Sequence, residues 1–372
     1  MRAIYLTRNY SPHDRRFLTA LARTDHSVHY LPLINAGWDR ARRELPPQVI
    51  VEEPLQVLSS IHWLQYPGLS HRLKRHLERI KPDIVHAGPI HSGATLVALT
   101  GFHPLVSMSW GSDLLRDTRA PLVALAARYT LRRSDTFVGD CQAVKSAAVR
   151  YGMDQERIVV FPWGVDLKHF SPGSGIELRR KLGWEGKFIL ISTRSFEPLY
   201  GVDLIVKAFI QLAPQFPELR LLLLGEGSKR DAFKSSLEDD NLLQRVFFAG
   251  VADREALPEY YRSADIYVSA SRSDGSSVSL MEALSSGLPA LVSDIPGNCE
   301  WVQPGVNGWR FRDGDVDSLI GALRGLLRKR DALGELGGAA RAIAESRANW
   351  DENFPNLLKA YEIAVARVSK SP

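Results

Sequence analysis

Cysteine is nearly missing from this chain of 372 residues: there are two, Cys141 and Cys299, far apart and matching no metal-ligand spacing. Such usage excludes a disulfide framework and a structural zinc site, and points to a reducing cytoplasm. Long apolar runs are lacking as well. Nowhere do eighteen uncharged apolar residues follow one another, and the stretch from Met1 to Thr7 is not of signal-peptide type, so neither a membrane span nor a secretory leader is expected. After the first aliphatic run there is no Gly-x-Gly-x-x-Gly fingerprint, which removes the main support for a nicotinamide-dependent oxidoreductase. No recognition helix, zinc finger or aromatic RNA-binding motif is found either, so no nucleic-acid partner is expected.

What is present describes a folded protein. Hydrophobic residues make up 45% and charged residues 24%, and the 21 prolines and 28 glycines are too dispersed for disorder. The length exceeds what one core usually fills, so two domains are expected. Charge divides between them: residues 1–165 hold 21 Lys and Arg against 14 Asp and Glu, the remainder 26 against 28, hence +7 and −2. A basic first half suits an anionic partner such as a phospholipid surface or a lipid phosphate, and a merely solvated surface accounts for it equally well.

Aliphatic runs alternate with helical patterns: Ala3 to Thr7, Val28 to Leu33, Ile84 to His86, Leu105 to Ser109 and Thr136 to Gly139, then Phe188 to Ser192, Leu219 to Leu224, Val246 to Ala249, Ile266 to Ser269 and Ala290 to Ser293. Parallel strands need crossover connections, so this alternation predicts parallel sheets covered by helices on both faces. The Pro- and Gly-punctuated segment from Phe161 to Pro172 reads as an interdomain linker, with the second domain built from about Ile176. Domain bounds of 1–165 and 166–350 follow, with a C-terminal helix in 351–372 whose apolar positions Leu357, Leu358, Tyr361 and Val365 pack back toward the first domain. A helix is also predicted from Ser70, as N-cap, to Lys81. Leu73, Leu77 and Ile80 form its stripe and its other faces are basic, which fits contact with an anionic membrane or simply a solvated surface.

The chemistry concentrates in the segment from Ser271 to Asp294. It follows the run Ile266 to Ser269, passes a loop of small residues and turns helical near Val278. That is the carboxyl edge of a strand, where ligands of doubly wound folds bind, and the amides of Gly275, Ser276 and Ser277 at a helix N-terminus suit phosphate or hydroxyl oxygens. Asp274 stands at the loop mouth. Glu282 follows about two helical turns later, so that one carboxylate serves a sugar and the other a ribose diol.

An acidic residue, seven intervening positions and Glu282, then Ala-Leu-Ser-Ser-Gly-Leu-Pro289, then Ser293-Asp-Ile-Pro-Gly-Asn-Cys-Glu-Trp-Val302, strongly resembles the family 4 glycosyltransferases of the GT-B fold. Gly305-Val-Asn-Gly-Trp-Arg-Phe311, Trp163-Gly-Val-Asp166, the Arg194 segment and Leu224-Gly-Glu-Gly227 extend the match. The resemblance implies two Rossmann-like domains facing each other across a cleft. It implies a retaining, metal-independent transfer from a nucleoside-diphosphate sugar, with no cofactor, to a glycan or lipid-linked acceptor. It assigns Glu282 to the nucleotide ribose, Asp274 to the transferred sugar and Arg194 to the diphosphate, where a fixed cation answers the charge that builds on the leaving group. Gly275, Ser276, Ser277, Tyr200, Arg272, Gly225 and Val251 go to the donor with them. No plausible metal-binding Asp-x-Asp motif accompanies these residues.

The pattern departs from the family in two places. Asp274 stands where glutamate is usual, and Tyr200 where a second cation, lysine, is usual; Arg272, Lys229 or Arg230 are candidates to replace that charge. Loss of the lysine leaves open a sugar-nucleotide-binding or scaffold protein without turnover. In the first domain, His13, Asp14, Arg15 and Arg16 follow the first strand where an acceptor is expected, Trp110 occupies the place of a family histidine, and Asp113 is the candidate acceptor-side carboxylate. His86 and His91 look like a metal pair, but a strand-end histidine beside a glycine turn is more often structural. The site is expected in the cytoplasm, with peripheral contact to the membrane.

Overall fold

Aliphatic runs become two parallel sheets in the computed structural model, which describes residues 1–34, 44–55, 63–328 and 333–369. The first sheet comprises β1 (Arg2–Thr7), β2 (Ser27–Pro32), β3 (Ile50–Val51), β4 (Ile84–Ala87), β5 (Leu105–Met108), β6 (Thr136–Gly139) and β7 (Ile158–Val160), in the order β3-β2-β1-β4-β5-β6-β7. The second comprises β8 (Phe188–Ser192), β9 (Leu219–Leu224), β10 (Val246–Gly250), β11 (Ile266–Ser269), β12 (Ala290–Ser293) and β13 (Gly308–Phe311), in the order β10-β9-β8-β11-β12-β13. Both orders are Rossmann-like, and each reverses direction once, between β1 and β4 and between β8 and β11.

β3, β7 and β13, which the aliphatic runs do not announce, all lie at sheet edges. An edge strand is covered on fewer sides, so its sequence need not be continuously apolar: Ile50 and Val51 are exposed, and Arg310 sits within β13. Central strands are buried on both faces. Phe188, Leu190, Leu219, Leu221 and Leu223 enter one core, while Ile189, Ile191, Leu222 and Leu224 enter the core on the other side. A side-chain period of two divides one leucine-rich run between two cores.

The chain forms two compact units, Met1–Phe161 with Phe354–Pro372, and Pro162–Asn353. Phe161 to Pro172 is not a free spacer. Trp163, Val165 and Phe170 are buried, and Val165 exchanges backbone hydrogen bonds with Ala348 (2.7 Å) and Trp350 (3.1 Å) inside the second unit. At the other end, the expected single helix is split. Trp350–Asn353 stops and Pro355–Ser369 begins afresh with proline in its first turn, where a missing N–H costs nothing. Leu357, Ala360, Tyr361 and Ala364 are its buried residues, whereas Leu358 and Val365 stay partly exposed, because the stripe is set by small residues that let the helix approach β5, β6 and β7. The expected helix at Ser70–Lys81 starts earlier, as Tyr66–Ile80, so Ser70 lies inside it and caps nothing; Leu69, Leu73, Leu77 and Ile80 are buried.

Candidate functional site

In the second unit, β8 leads to the helix Val202–Leu212 on one face of the sheet and β11 to the helix Val278–Ser285 on the other, as their different cores show. The chain parts there, at the switch point where doubly wound sheets bind their ligands. Two residues past β8 stands Arg194, and five past β11 stands Asp274. Their side chains meet: Arg194 Nη2 donates to Asp274 Oδ2 at 2.7 Å, and Nη1 donates to Ser277 Oγ at 2.7 Å and Ser279 Oγ at 3.0 Å. The guanidinium carbon lies 4.3 Å from the ring centre of Tyr200. Burial is the largest single influence and works against this charge, but Asp274, Tyr267 and Tyr200 around it together outweigh burial and raise the Arg194 pKa. Arg194 is thus a fixed cation. Its Nε–H, buried, has no partner among the described residues.

Ser277 is the N-cap of Val278–Ser285 but makes no side-chain cap bond. Its hydroxyl accepts from Arg194 instead, so the first amides of the helix are left without a side-chain acceptor. Asp274 does not cap the helix either; Oδ1 accepts from the amide of Gly275 at 3.0 Å. Ser276 turns inward and accepts from Trp301 Nε1 at 3.0 Å, and Trp301 itself is buried with Arg347 stacked on its ring at 4.5 Å. Glu282, half-buried, accepts from the Tyr261 hydroxyl at 2.9 Å, and that hydroxyl also lies 3.0 Å from Thr193 Oγ1.

The neighbouring loops are stitched to this centre. Glu197 accepts from both the amide and the hydroxyl of Ser228, at 2.7 and 2.8 Å, and the Gly225 amide donates to the carbonyl of Gly250 at 2.8 Å. Gly225 has φ +139°, and a Cβ there would come within 2.5 Å of the Arg194 carbonyl oxygen. Val251 is exposed at the same strand-end layer. Arg272 is exposed and joins the loops through its amide, which donates to Leu199 O at 2.9 Å; Lys229 is exposed and Arg230 pairs with Glu226 at 3.2 Å. Among the described residues, the side chains held to Arg194 are those of Asp274, Ser277, Ser279 and Tyr200, and none of these three cations. Tyr200 contributes no charge of its own and instead faces the arginine. Asp-x-Asp does occur, twice and overlapping, in Asp313-Gly-Asp315-Val-Asp317, and Asp315 accepts from the Ser318 amide at 2.9 Å at the start of the helix Val316–Arg328.

Close approach explains a further glycine. A Cβ at Gly297 would lie 2.2 Å from Gly275 O and 2.7 Å from Asp274 O. Gly297→Ala should therefore displace the 274–277 loop, at about 1–3 kcal/mol of stability by overpacking; urea unfolding and donor titration of the variant, compared with an unchanged wild-type midpoint, check it.

In the first unit, His13, in the first turn of the helix Pro12–Leu21 that follows β1, and Trp110, in the loop after β5, come together with ring centres 5.3 Å apart. Arg15 is exposed on the same helix and Arg16 is half-buried. Asp14 is not available to an acceptor as expected: it is buried, completes a capping box with Ser11 and accepts from the Tyr5 hydroxyl at 3.1 Å, and burial pushes its pKa up to about 6. Asp113 is likewise enclosed. It accepts from Ile90 N (2.8 Å), Ser109 Oγ (2.6 Å) and Trp110 N (3.0 Å), which makes it the tie between the loops after β4 and β5 rather than an open carboxylate. His86 is buried with Nδ1 2.9 Å from the Tyr361 hydroxyl, and burial brings its pKa down to about 3, so it joins β4 to the C-terminal helix as a neutral ring. His91 lies on the five-residue turn after β4, 4.0 Å from Asp117.

Tyr261, Ser279 and Trp301 are site residues that the pattern did not single out. Ser279 and Trp301 lie inside the quoted motifs. Tyr261 adjoins Tyr260, and only the phase of the helix Leu257–Ser263 decides which of the two turns inward.

Two family models match consecutive parts of the chain, "Glycosyltransferase Family 4" at residues 13–169 and "Glycosyl transferases group 1" at residues 175–357. The chain is 31% identical over 251 residues to a D-inositol 3-phosphate glycosyltransferase of Nocardia farcinica, covering 65% of this chain and 55% of that protein. It is 28% identical over 300 residues to the sulfoquinovosyl transferase SQD2 of Arabidopsis thaliana, covering 76% and 57%. The chain thus spans little more than half the length of these curated relatives. In fold it is similar to Anabaena HepE in complex with UDP, with TM-score 0.80 at 18% identity over 97% of this chain and 100% of that one. A sucrose-phosphate synthase from Thermosynechococcus elongatus also gives TM-score 0.80 at 18% identity, over 99% and 100%.

Proposed function

The chain belongs to glycosyltransferase family 4, and from that premise we propose that it transfers a sugar from a nucleoside-diphosphate sugar, without metal or cofactor and with retention of anomeric configuration, to an acceptor hydroxyl. The observation that carries this reading is Arg194, a buried guanidinium fixed by Asp274, Ser277, Ser279 and Tyr200 beside an uncapped helix N-terminus. The diphosphate belongs there. Its oxygens would meet the free amides of the helix and the unpartnered Nε–H of Arg194, both fixed before the charge develops. Glu282, held by Tyr261, takes the ribose diol, and Asp274 the sugar. In the reacting complex the bond from the anomeric carbon to the diphosphate oxygen breaks as the acceptor oxygen bonds on the same face. The acceptor proton passes to the departing phosphate oxygen, so no separate strong base is needed. That fits a first unit in which both Asp14 and Asp113 are enclosed.

His13 and Trp110 are the proposed acceptor platform, and a hydroxyl of a lipid-linked glycan, glycolipid or surface polysaccharide is the proposed acceptor. The HepE structures hold UDP and UDP-glucose, which puts the uridine series first in any screen. Thermal shift and calorimetry with UDP-, GDP-, ADP- and dTDP-sugars test the donor assignment. One series should stabilise the wild type by ~2.7 kcal/mol at a hundred times its dissociation constant. Glu282→Ala should bind that donor about 10–150-fold more weakly, the value of a charged hydrogen bond; equal affinity removes Glu282 from the site.

A second reading, donor binding without turnover, is favoured by one observation: Asp274 pairs with the arginine and Tyr200 adds no second cation. Tight donor binding with no nucleotide release in the presence of any acceptor would select it.

A further inference from the structure

The helix Pro121–Arg133 buries little of itself. Ala127, Thr130 and Leu131 are its buried residues, whereas Leu122 (69% exposed), Leu125 (64%) and Tyr129 (37%) stand in the open. Spacings of three and four place these three on one stripe. Single exposed apolar residues need no explanation, but an aligned set does. Around them stand Arg128, Arg132 and Arg133, and a shallow depression is lined by Leu125, Tyr129 and these three arginines. The helix has no acidic residue. Beside it packs Thr95–Thr100, whose Ala98 carbonyl accepts from the Tyr129 hydroxyl and whose Leu99 is 42% exposed; beyond that packs Tyr66–Ile80. Across the three helices there are seven Lys and Arg against one acidic residue, Glu78. Among the basic residues, Arg79 pairs with Glu52.

We propose that this helical layer is a peripheral docking surface for a bilayer containing anionic lipid, with Leu122, Leu125 and Tyr129 entering the headgroup boundary and Arg128, Arg132 and Arg133 binding phosphates. The sequence alone directs attention to Tyr66–Ile80, but that helix keeps its apolar stripe inside its own unit and offers the membrane charge only. Pro121–Arg133 presents both attractions together, which is what an interfacial helix requires. Long arginine stems lie along apolar surface while their heads reach phosphate, as Arg133 does over the Tyr129 ring at 5.3 Å. A second copy of the chain does not suit this face, because a symmetric pairing would oppose arginine to arginine with no acid to answer them. No described helix is long and apolar enough to cross a membrane. The surface lies on the first unit and does not depend on the sugar-transfer reading.

Vesicle flotation tests it, with phosphatidylcholine vesicles made with and without phosphatidylglycerol. The wild-type chain should partition onto the anionic vesicles and lose binding as salt rises. Arg128→Ala/Arg132→Ala/Arg133→Ala should lower the partition coefficient on the order of a hundredfold. Leu122→Ser/Leu125→Ser should lower it tenfold or more, on the order of the apolar transfer lost, at low and high salt alike. All five positions are exposed, and unchanged thermal unfolding shows that the variants fold. The proposal is overturned by equal binding to neutral vesicles, by variants that bind like wild type, by loss of binding only in Arg72→Ala/Lys74→Ala/Arg75→Ala, or by a face that captures a second copy or an acidic protein and no vesicle.

Discussion

Arg194→Ala should lower the proposed sugar transfer by about 10²–10³-fold, the cost of removing one preorganised partner of developing negative charge. The size of the effect follows from its setting. The guanidinium is buried, held by three side-chain acceptors at 2.7–3.0 Å and faced by Tyr200, so it need not reorganise when the diphosphate departs. Most of the loss should appear in kcat, with a smaller change in donor affinity, because the charge it opposes grows toward the transition state. Arg194→Lys keeps a charge but cannot reach Asp274, Ser277 and Ser279 with one fork, and should fall between the two. Tyr200→Phe retains the ring and should leave turnover near wild type. Tyr200→Ala removes the cation–π contact, a loss of about 0.5–2 kcal/mol in the fixing of the arginine. Steady-state kinetics on the donor selected by the binding screen check all four. Wild-type kcat in Arg194→Ala would refute the assignment.

Trp301→Ala should destabilise the second unit by about 3–5 kcal/mol, as expected for truncating a buried tryptophan. Trp301 is 1% exposed and does two things at once: it fills the core under the 274–277 loop, and its indole N–H satisfies Ser276. Trp301→Phe separates these roles. It keeps most of the volume and removes the hydrogen bond, which costs about 1 kcal/mol with a further packing loss. Urea unfolding measures both, and donor titration should show the weakening in step with the loop's loss of support. An alanine variant that unfolds with the wild type would show that the loop stands without the indole.

His13, Asp14, Trp110 and Asp113 show where reading a sequence reaches its limit. All four follow a strand of the first sheet, in the loop or the first helical turn after it, and position along the chain is enough to place them on the side where doubly wound folds bind ligands. Exposure is another matter. Asp14 is drawn inward by its capping box with Ser11 and by Tyr5, and Asp113 by the amides of Ile90 and Trp110 and the hydroxyl of Ser109, partners that lie three to 23 residues away. Burial is a property of how elements pack, and nothing in the residue type announces it. Tyr200 is a similar case. Its place in the sequence shows that a charge is missing, while only the packed loop shows that its ring meets Arg194.

The sequence by itself determined the parallel sheets and the family to which the 271–311 segment belongs. Local alternation specifies strands buried on both faces, and the motif from Ser271 to Phe311 is contiguous, so its meaning survives without coordinates. Tertiary structure alone decided which carboxylates remain accessible, that Tyr261 rather than Tyr260 holds Glu282, and that the exposed leucines of Pro121–Arg133 form one face among arginines. Those outcomes depend on contacts between residues remote in sequence and on helix phase. Both are set by the competition of many packing and hydrogen-bonding terms, and not by the identity of any one residue.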